Sequence, residues 1–337
     1  MIQEAIKTVI EGGDLSRKEA HAVMSAIMNG EATPAQIAAF IVGAKLKGET
    51  QQEVTGFAQA MREKATSVVT KHADAIDMCG TGGDGIGTFN ISTVASFVVA
   101  AAGVPVAKHG NRSVSSKCGS ADLLEALGVN IELDAETTGR CLDEIGIAFL
   151  FAPSLHKAMK HAVGPRREIG VRTVFNILGP LTNPAGVKRQ VLGVYHRSLC
   201  RLMAEVLREL GADHIVIIHS EDGLDEISIQ APTHAVELRD GKLRETQLLP
   251  ENFGLSVARE NGMLGGTPED NAEIALNILQ GERGSNRDIV IANAACGLLV
   301  GAAARTFEDG AKMALDSIDS GAALEKLESL REFSQSV

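Results

Sequence analysis

The chain has 337 residues, 45% hydrophobic and 22% charged, which is typical of a globular protein with one large domain or two. Its formal net charge is −11, and it contains one tyrosine and no tryptophan. An acidic chain repels the phosphate backbone of nucleic acids, and this one has few rings to stack on bases. Nucleic acid is therefore excluded as a favoured partner.

The amino terminus and the apolar runs argue against secretion and membrane insertion. The first seven residues, MIQEAIK, mix apolar and charged side chains, unlike the apolar core of a signal peptide. No apolar run approaches the roughly 18 residues that cross a bilayer. The five scattered cysteines include no Cys-x-x-Cys pair, which argues against a disulfide framework or a zinc site. We expect a cytoplasmic protein with no membrane partner.

Residues 1 to about 65 show helical periodicity in four short segments. Ser16, with Glu19 three residues later, has the pattern of a capping box. Thr33-Pro34 places a proline at the first position of the next helix, and the last segment begins at Thr50. Helices this short bury little apolar surface alone, so we expect them to pack as a small bundle.

From about residue 75, strand and helix patterns alternate, which indicates a parallel α/β sheet. The predicted strands are Ala75–Met78, Val104–Ala107, Phe149–Phe151, Gln190–Val194 and His214–His219. Asp240-Gly241, in the middle of Thr233–Leu249, predicts an antiparallel hairpin. A helix after the long polar loop 110–119 is expected with Ser120 as its cap. The remainder is mostly helical, with one apolar segment, Asp288–Val300, that could begin as a strand.

The most distinctive stretch runs from Asp77 to Thr93, DMCGTGGDGIGTFNIST, with glycines at 80, 82, 83, 85 and 87. It follows the apolar run Ala75-Ile76 and precedes a helical pattern, Val94–Ala102. A strand, a glycine loop and a helix start, in that order, present free backbone N–H groups to an anion. Glycine lets the backbone approach closely and adopt positive φ angles. The stretch predicts an anion-binding loop.

Two better-known glycine loops do not fit this stretch. Gly80, Gly82 and Gly85 have the spacing of a dinucleotide fingerprint, but that site also requires an acidic residue about 20 positions further on. Residues 105–109 are PVAKH instead. The nucleoside triphosphate loop ends in Gly-Lys-Ser/Thr, whereas Thr88-Phe89 stands here.

A second candidate anion loop is Lys108–Ser120, KHGNRSVSSKCGS. It holds three fixed cations and five hydroxyl or amide side chains, which can surround a phosphate with charge-assisted hydrogen bonds. Both loops follow strands predicted to be neighbours, so we expect them at the same edge of the sheet.

Two further groups of residues suggest chemistry. The turn Asp222–Glu226, DGLDE, follows a predicted strand, and its carboxylates suit Mg²⁺ together with substrate phosphate oxygens, with Asp84 and Ser92 as further ligands. The stretch 159–183 holds Arg166, Arg167 and Arg172, whose forks suit a planar carboxylate. His156 and His161 have no partner spaced for a metal and are interpreted as surface or capping residues. The chain shows no Ser-His-Asp order and no Gly-x-Ser-x-Gly elbow.

In order and spacing, these motifs resemble the anthranilate phosphoribosyltransferase family over essentially the whole chain. The matching segments are Gly80–Asp84, Asn90–Thr93, Lys108–Asn111, Gly119–Gly128, Arg172–Pro184 and Asp225-Glu226. The resemblance implies an α/β protein in which a small helical domain is hinged to a large domain with a mostly parallel central sheet. Residues 1–66, joined by about 160–185, would form the first domain, and residues 67–337 the second.

The reaction implied by the resemblance displaces pyrophosphate from phosphoribosyl pyrophosphate (PRPP) with the amine of anthranilate, in tryptophan biosynthesis. The family also implies Mg²⁺ as cofactor and a homodimer formed through the helical domains. An anthranilate synthase component is a further candidate partner. No strong general base is needed because an aryl amine is already neutral near pH 7.

The resemblance also implies roles for individual residues. Ser92, Asp225 and Glu226 would hold Mg²⁺, and Gly80, Asn111 and Arg166 would contact anthranilate, with Arg166 on its carboxylate. Alignment would rest on Lys108, Asn111 and Arg166. The residues implied for PRPP are Gly80, Gly83, Asp84, Thr88, Asn90, Ile91, Ser92, Thr93, Lys108, His109, Gly110, Asn111, Arg112, Ser113, Val114, Ser115, Ser116 and Ser120.

Two alternatives stay open at this stage. A pyrimidine nucleoside phosphorylase would share the glycine loop but carries a different basic motif where Lys108–Asn111 stands. A non-catalytic regulator that binds PRPP or nucleic acid would be expected to lack complete motifs and to be less acidic.

Overall fold

The computed structural model describes residues 1–113, 117–259 and 263–337. The first 64 residues form four helices whose starts follow the predicted capping signals. Ser16 accepts a hydrogen bond from the backbone of Glu19, whose side chain accepts one in return, and Thr33 and Thr50 form capping boxes in the same way. The helices are α1 (Ile2–Ile10), α2 (Arg17–Met28), α3 (Pro34–Lys47) and α4 (Gln51–Lys64).

The large part of the chain is built on a seven-stranded sheet in the order β3-β2-β1-β4-β5-β6-β7. Strands β1 to β5 are parallel, and β6 and β7 add an antiparallel hairpin at one edge. The predicted strands and hairpin are confirmed, with ends shifted by at most three residues. The strands are β1 (Ile76–Gly80), β2 (Val106–Gly110), β3 (Ile147–Phe151), β4 (Arg189–Gly193), β5 (His214–Ser220), β6 (Thr233–Arg239) and β7 (Lys242–Leu248).

The described residues contain eleven further helices. They are α5 (Ile91–Ala101), α6 (Ser120–Ala126), α7 (Ala135–Ile145), α8 (Ala152–Leu155), α9 (Lys160–Ile169), α10 (Phe175–Leu178), α11 (Ser198–Glu209), α12 (Pro268–Leu279), α13 (Ser285–Val300), α14 (Phe307–Asp319) and α15 (Ala322–Gln335). None of the helices that the structure describes is both long and apolar enough to span a bilayer.

Two expectations about secondary structure were wrong, one about a strand and one about a helix cap. The segment Asp288–Val300 contains no strand but lies inside the continuous helix α13, which is buried on every side, so its apolar run lacks a helical period. Ser120 is the first residue of α6 instead of its cap. Gly119 takes the cap position, and its N–H donates to Asp122 at 2.8 Å.

The chain between residues 160 and 178 packs with the amino-terminal helices. Helix α9 contacts α2 and α3, and α10 contacts α4. Ala162, Phe175 and Leu178 share one apolar cluster with the side chains of α2 to α4 and with one face of the sheet. The division of the chain at residue 66, with 160–185 joined to the first part, stays a prediction.

The strand order places two loops in the position where α/β sheets bind ligands. From β1 the chain adds β2 and β3 on one side and then β4 and β5 on the other, so the order reverses between β1 and β4. A crevice forms at the carboxyl ends of the strands at such a reversal. The glycine loop leaves β1 at this point, with the Thr81 N–H donating to the carbonyl of Gly193 at 2.9 Å.

Candidate active site

The glycine loop has the backbone that its sequence predicts. The φ angles of Gly82, Gly83, Gly85 and Gly87 are 64°, 80°, 82° and 77°, in the left-handed region that glycine adopts without strain. Gly80 is required for a different reason, because a Cβ there would lie 2.7 Å from an oxygen of the Asp225 carboxylate. The loop thus approaches the acidic turn after β5.

The acidic turn binds both ends of the glycine loop. One Asp225 oxygen accepts the N–H of Gly82 at 2.9 Å, and one Glu226 oxygen accepts the N–H of Ser92 at 3.0 Å. Ser92 lies in the first turn of α5, whose free N–H groups favour negative charge. The three residues predicted as metal ligands therefore meet at one point, although 134 positions separate Ser92 from Glu226.

Asp225 and Glu226 are crowded acids. Burial raises the pKa of both carboxyl groups, and neighbouring carboxylates raise it further, Asp84 for Asp225 and Asp225 for Glu226. A cation beside them would relieve this repulsion. No group of three or more His, Cys, Asp or Glu side chains in the described parts of the chain is arranged to hold a metal ion. A pair of carboxylates is the set that suits Mg²⁺, which takes its remaining ligands from substrate phosphate and water.

The second predicted loop leaves β2 beside the glycine loop, as expected. Lys108 is buried near the end of the strand, and its ammonium donates to the carbonyl of Met78 in β1. The carbonyl of Asn111 accepts the Ser120 hydroxyl at 3.3 Å, which ties the loop to the start of α6. Gly110 leaves room for that hydroxyl. The predicted contacts at Val114, Ser115 and Ser116 lie outside the described residues.

Arg112 and Ser113 face the acidic start of α6. The Arg112 guanidinium makes two parallel hydrogen bonds to Glu125, one of them 2.8 Å long, and a third to Asp122 at 3.2 Å. Glu125 is the main cause that raises the pKa of Arg112. The backbone N–H of Ser113 donates to Asp122 at 3.0 Å. Arg112 would have to leave these carboxylates to bind a phosphate.

The start of α5 is supported by a segment that the sequence did not single out. The Asn90 side chain donates to the Cys118 carbonyl at 3.2 Å and accepts from Asn271 at 2.9 Å. Thr88 pairs with Leu264 in an isolated bridge. The side chains of Ile91 and Thr93 are buried, so Ile91 can offer a ligand only its backbone. The support comes from residues 263–271, which carried no recognisable motif.

Arg166, predicted to bind a carboxylate, lies on α9. Its guanidinium stacks over the ring of Phe175 at 5.0 Å, and burial lowers its pKa. Within the described residues the guanidinium has no hydrogen bond and no ion pair, and it touches none of the other predicted site residues through a polar contact. A partly buried arginine without a carboxylate partner is a suitable group for an external anion.

His156 takes the C-cap position of α8, but the structure corrects its interpretation as a surface residue. It is 7% exposed, and its ring lies 5.1 Å from that of His109, which is 6% exposed. Burial lowers the pKa of His109 to about 3 and that of His156 to about 4, so both rings are neutral near pH 7. His161 lies in α9 and contacts Gly30 of the amino-terminal bundle.

Two other groups near the loops make contacts that the sequence did not predict. Arg172 stacks on Tyr195 at 4.6 Å and donates to the carbonyl of Gly83, so it fixes the glycine loop. Asp77 is fully buried under the second loop and accepts hydrogen bonds from Asn183. A charged residue inside an apolar strand was the available signal for Asp77.

Comparison with known proteins agrees with this geometry. The helical bundle domain of the glycosyl transferase family matches residues 3–65, and the a/b domain of that family matches residues 72–324. The anthranilate phosphoribosyltransferase of Pelotomaculum thermopropionicum is 57% identical over 99% of this chain and 96% of its own length. That of Acetivibrio thermocellus is 51% identical over 100% of this chain and 97% of its own length.

Two solved structures extend the comparison to three dimensions. The anthranilate phosphoribosyltransferase of Thermus thermophilus is 43% identical, covers 98% of this chain and 99% of its own, and has a TM-score of 0.93. The enzyme of Saccharomyces cerevisiae in complex with PRPP and Mg is 25% identical, covers 100% of this chain and 98% of its own, and has a TM-score of 0.92. The chain belongs to the anthranilate phosphoribosyltransferase family, a family of glycosyl transferases.

Proposed function

We propose that this chain carries out a Mg²⁺-dependent transfer of the phosphoribosyl group of PRPP to the amine of anthranilate. The products would be N-(5-phosphoribosyl)anthranilate and pyrophosphate, in the second step of tryptophan synthesis from chorismate. The observation that carries the proposal is the contact of two half-buried carboxylates, Asp225 and Glu226, with the glycine loop and the start of α5.

The proposed reaction requires mainly that the site stabilise negative charge. Pyrophosphate leaves with several negative charges, and donors fixed in advance stabilise them as the bond to the ribose breaks. The glycine-loop N–H groups, the first turn of α5 and the Lys108 ammonium are such donors. Catalysis then rests on holding the neutral amine in line with the ribose carbon.

Mg²⁺ would be held by Asp225, Glu226 and the Ser92 hydroxyl. The two carboxylates fit the ion because they are crowded and half-buried, and a cation beside them would relieve their repulsion. When bound, the ion neutralises charge on the pyrophosphate oxygens. The yeast relative in complex with PRPP and Mg supports this assignment.

Anthranilate would be held through its carboxylate by Arg166. Its fork can donate two parallel hydrogen bonds to a carboxylate, and the Phe175 ring holds the guanidinium from one side. The yeast enzyme in complex with 4-fluoroanthranilate supports an aryl amine of this class as substrate. Gly80 and Asn111 complete the proposed contacts.

We also propose that the chain works as a cytoplasmic homodimer through its helical part, with residues 1–66 and about 160–185 as one hinged domain. An anthranilate synthase component is a further proposed partner. Light scattering of the purified chain tests the dimer, and co-purification tests the partner.

The reaction is tested by following the loss of anthranilate fluorescence with purified protein, PRPP and Mg²⁺. A decay that EDTA abolishes and added Mg²⁺ restores is expected. A decay that EDTA leaves unchanged would contradict the metal assignment. A flat trace with active protein would contradict the reaction itself, and phosphorolysis of uridine and thymidine would then be measured.

A further inference from the structure

Strands β1 and β2 lose their backbone pairing towards the two substrate loops, although they stay neighbours in the sheet. The other parallel neighbours of the sheet pair over five residues each, whereas β1 and β2 share one register pair, Ile76 with Val106. Beyond that pair, side chains connect the strands. Asp77 accepts the N–H of His109 at 3.1 Å, and the Lys108 ammonium donates to the carbonyl of Met78.

Asp77 is the centre of these connections. Its other oxygen accepts the amides of Asn183 at 2.9 Å and Gln190 at 3.4 Å. The Asn183 amide also donates to the carbonyl of Ala107 at 2.9 Å, so it binds the last part of β2 from the opposite side. Both oxygens of Asp77 therefore face only donors, and among side chains a carboxylate is the group that accepts on both oxygens.

The electrostatics favour the same role. Asp77 and Lys108 are 0% and 4% exposed, so each needs a compensating charge. Burial raises the pKa of Asp77, and the positive charge of Lys108 is the largest influence that opposes the rise. The positive charge of Lys108 therefore favours the ionised form of Asp77, which accepts hydrogen bonds on both oxygens.

We propose that Asp77, together with Asn183, is a positioning residue for PRPP binding: it holds the end of β2 so that Lys108 and Asn111 meet the substrate. The inference rests on the proposed function. It also explains the segment 179–184, GPLTNP, to which the reaction itself assigns no chemistry. Asn183 supports the loop from behind instead of touching substrate.

The test is a titration of PRPP with Mg²⁺ against the full chain, by calorimetry, with wild type and Asp77→Asn. An asparagine offers one acceptor and one donor, so either His109 or Asn183 loses its partner, and a negative charge in the vicinity of Lys108 is removed. We expect the Kd for PRPP to rise about tenfold or more, the factor that one lost charge-assisted hydrogen bond produces. The KM for anthranilate at saturating PRPP should rise by a smaller factor.

Glu53→Gln is the matched control. Glu53 is also a buried carboxylate, 1% exposed, which accepts the N–H of Leu15 at 3.0 Å and the ammonium of Lys47 at 2.8 Å, but it lies in the amino-terminal bundle. The substitution should lower the Tm without changing the Kd for PRPP. Equal losses of PRPP binding in both variants would show a general effect on folding and overturn the inference.

Asn183→Ala keeps the charge of Asp77 and provides the test if Asp77→Asn does not fold. It should weaken PRPP binding in the same direction by a smaller factor, whereas a Kd within twofold of wild type would overturn the inference. A folded Asp77→Asn that binds PRPP like the wild type would overturn it equally. If the wild type itself does not bind PRPP, the proposed function fails and the inference fails with it.

Discussion

Replacing Arg166 by alanine isolates the proposed carboxylate contact of anthranilate. The guanidinium is partly buried over Phe175 and has no carboxylate partner in the described chain, so its hydrogen-bonding capacity is available to a substrate. A charge-assisted pair of this kind contributes about 1.5–3 kcal/mol, and each 1.36 kcal/mol is a factor of ten. We therefore expect kcat/KM for anthranilate to fall about 10- to 150-fold.

The assay is the initial rate of anthranilate fluorescence loss at saturating PRPP and Mg²⁺. Arg167→Ala is the matched control, because Arg167 is the next residue of the same helix and is exposed. This variant should keep kcat/KM for anthranilate within about twofold of the wild-type value, as surface substitutions usually do. Arg166→Lys should give an intermediate loss, since lysine keeps the charge but lacks the planar fork.

Aniline, which lacks the carboxylate, separates a direct contact from a general defect. If Arg166 binds the carboxylate, the preference of the wild type for anthranilate over aniline should largely disappear in Arg166→Ala. The rate with aniline itself should change little. Equal losses for anthranilate and aniline, or an equal rise of the KM values for anthranilate and PRPP, would refute the assignment.

Three further predictions concern the metal pair, the glycine loop and the buried histidines. Asp225 and Glu226 changed together to Ala should shift the Mg²⁺ dependence of the rate to higher concentration, and an unchanged titration would count against them as ligands. Gly80→Ala should reduce activity more than thermal stability, because its Cβ would lie 2.7 Å from an oxygen of Asp225 and would displace that carboxylate from the loop. The pKa of His109 is lowered to about 3 and that of His156 to about 4, so each is neutral in the fold and binds a proton on unfolding below pH 6.5. The free energy of unfolding should therefore fall by up to about 1.4 kcal/mol per pH unit per histidine as the pH drops from 6.5 towards 5. Denaturant titrations at several pH values measure this slope, and a His156→Gln variant with the wild-type slope would contradict the reasoning.

Local features of the fold follow from the sequence because short-range physics decides them. The caps at Ser16, Thr33 and Thr50 depend on residues three positions apart, and the positive φ angles of the glycine loop depend on the absence of a side chain. The alternation of apolar strands and helices likewise predicted the parallel sheet and its edge hairpin. The segment 288–300 was misread because a helix buried on every side loses its period.

The sequence also determined which loops should meet, since neighbouring parallel strands present their carboxyl ends at one edge. It also predicted a chemistry for each group: amides and cations for phosphate, carboxylates for Mg²⁺ and arginine for a carboxylate. These conclusions need only residue types and strand order.

Only the tertiary structure decided which partner each charged side chain takes. Arg112 binds Glu125 and Asp122, and Asp77 accepts from Asn183, 106 positions away. Such pairs depend on how the backbone brings distant segments together, and no local pattern encodes that distance. Burial also depends on the tertiary structure. It lowers the pKa of His156 and raises that of Glu226, because the cost of desolvating a charge depends on everything packed around it.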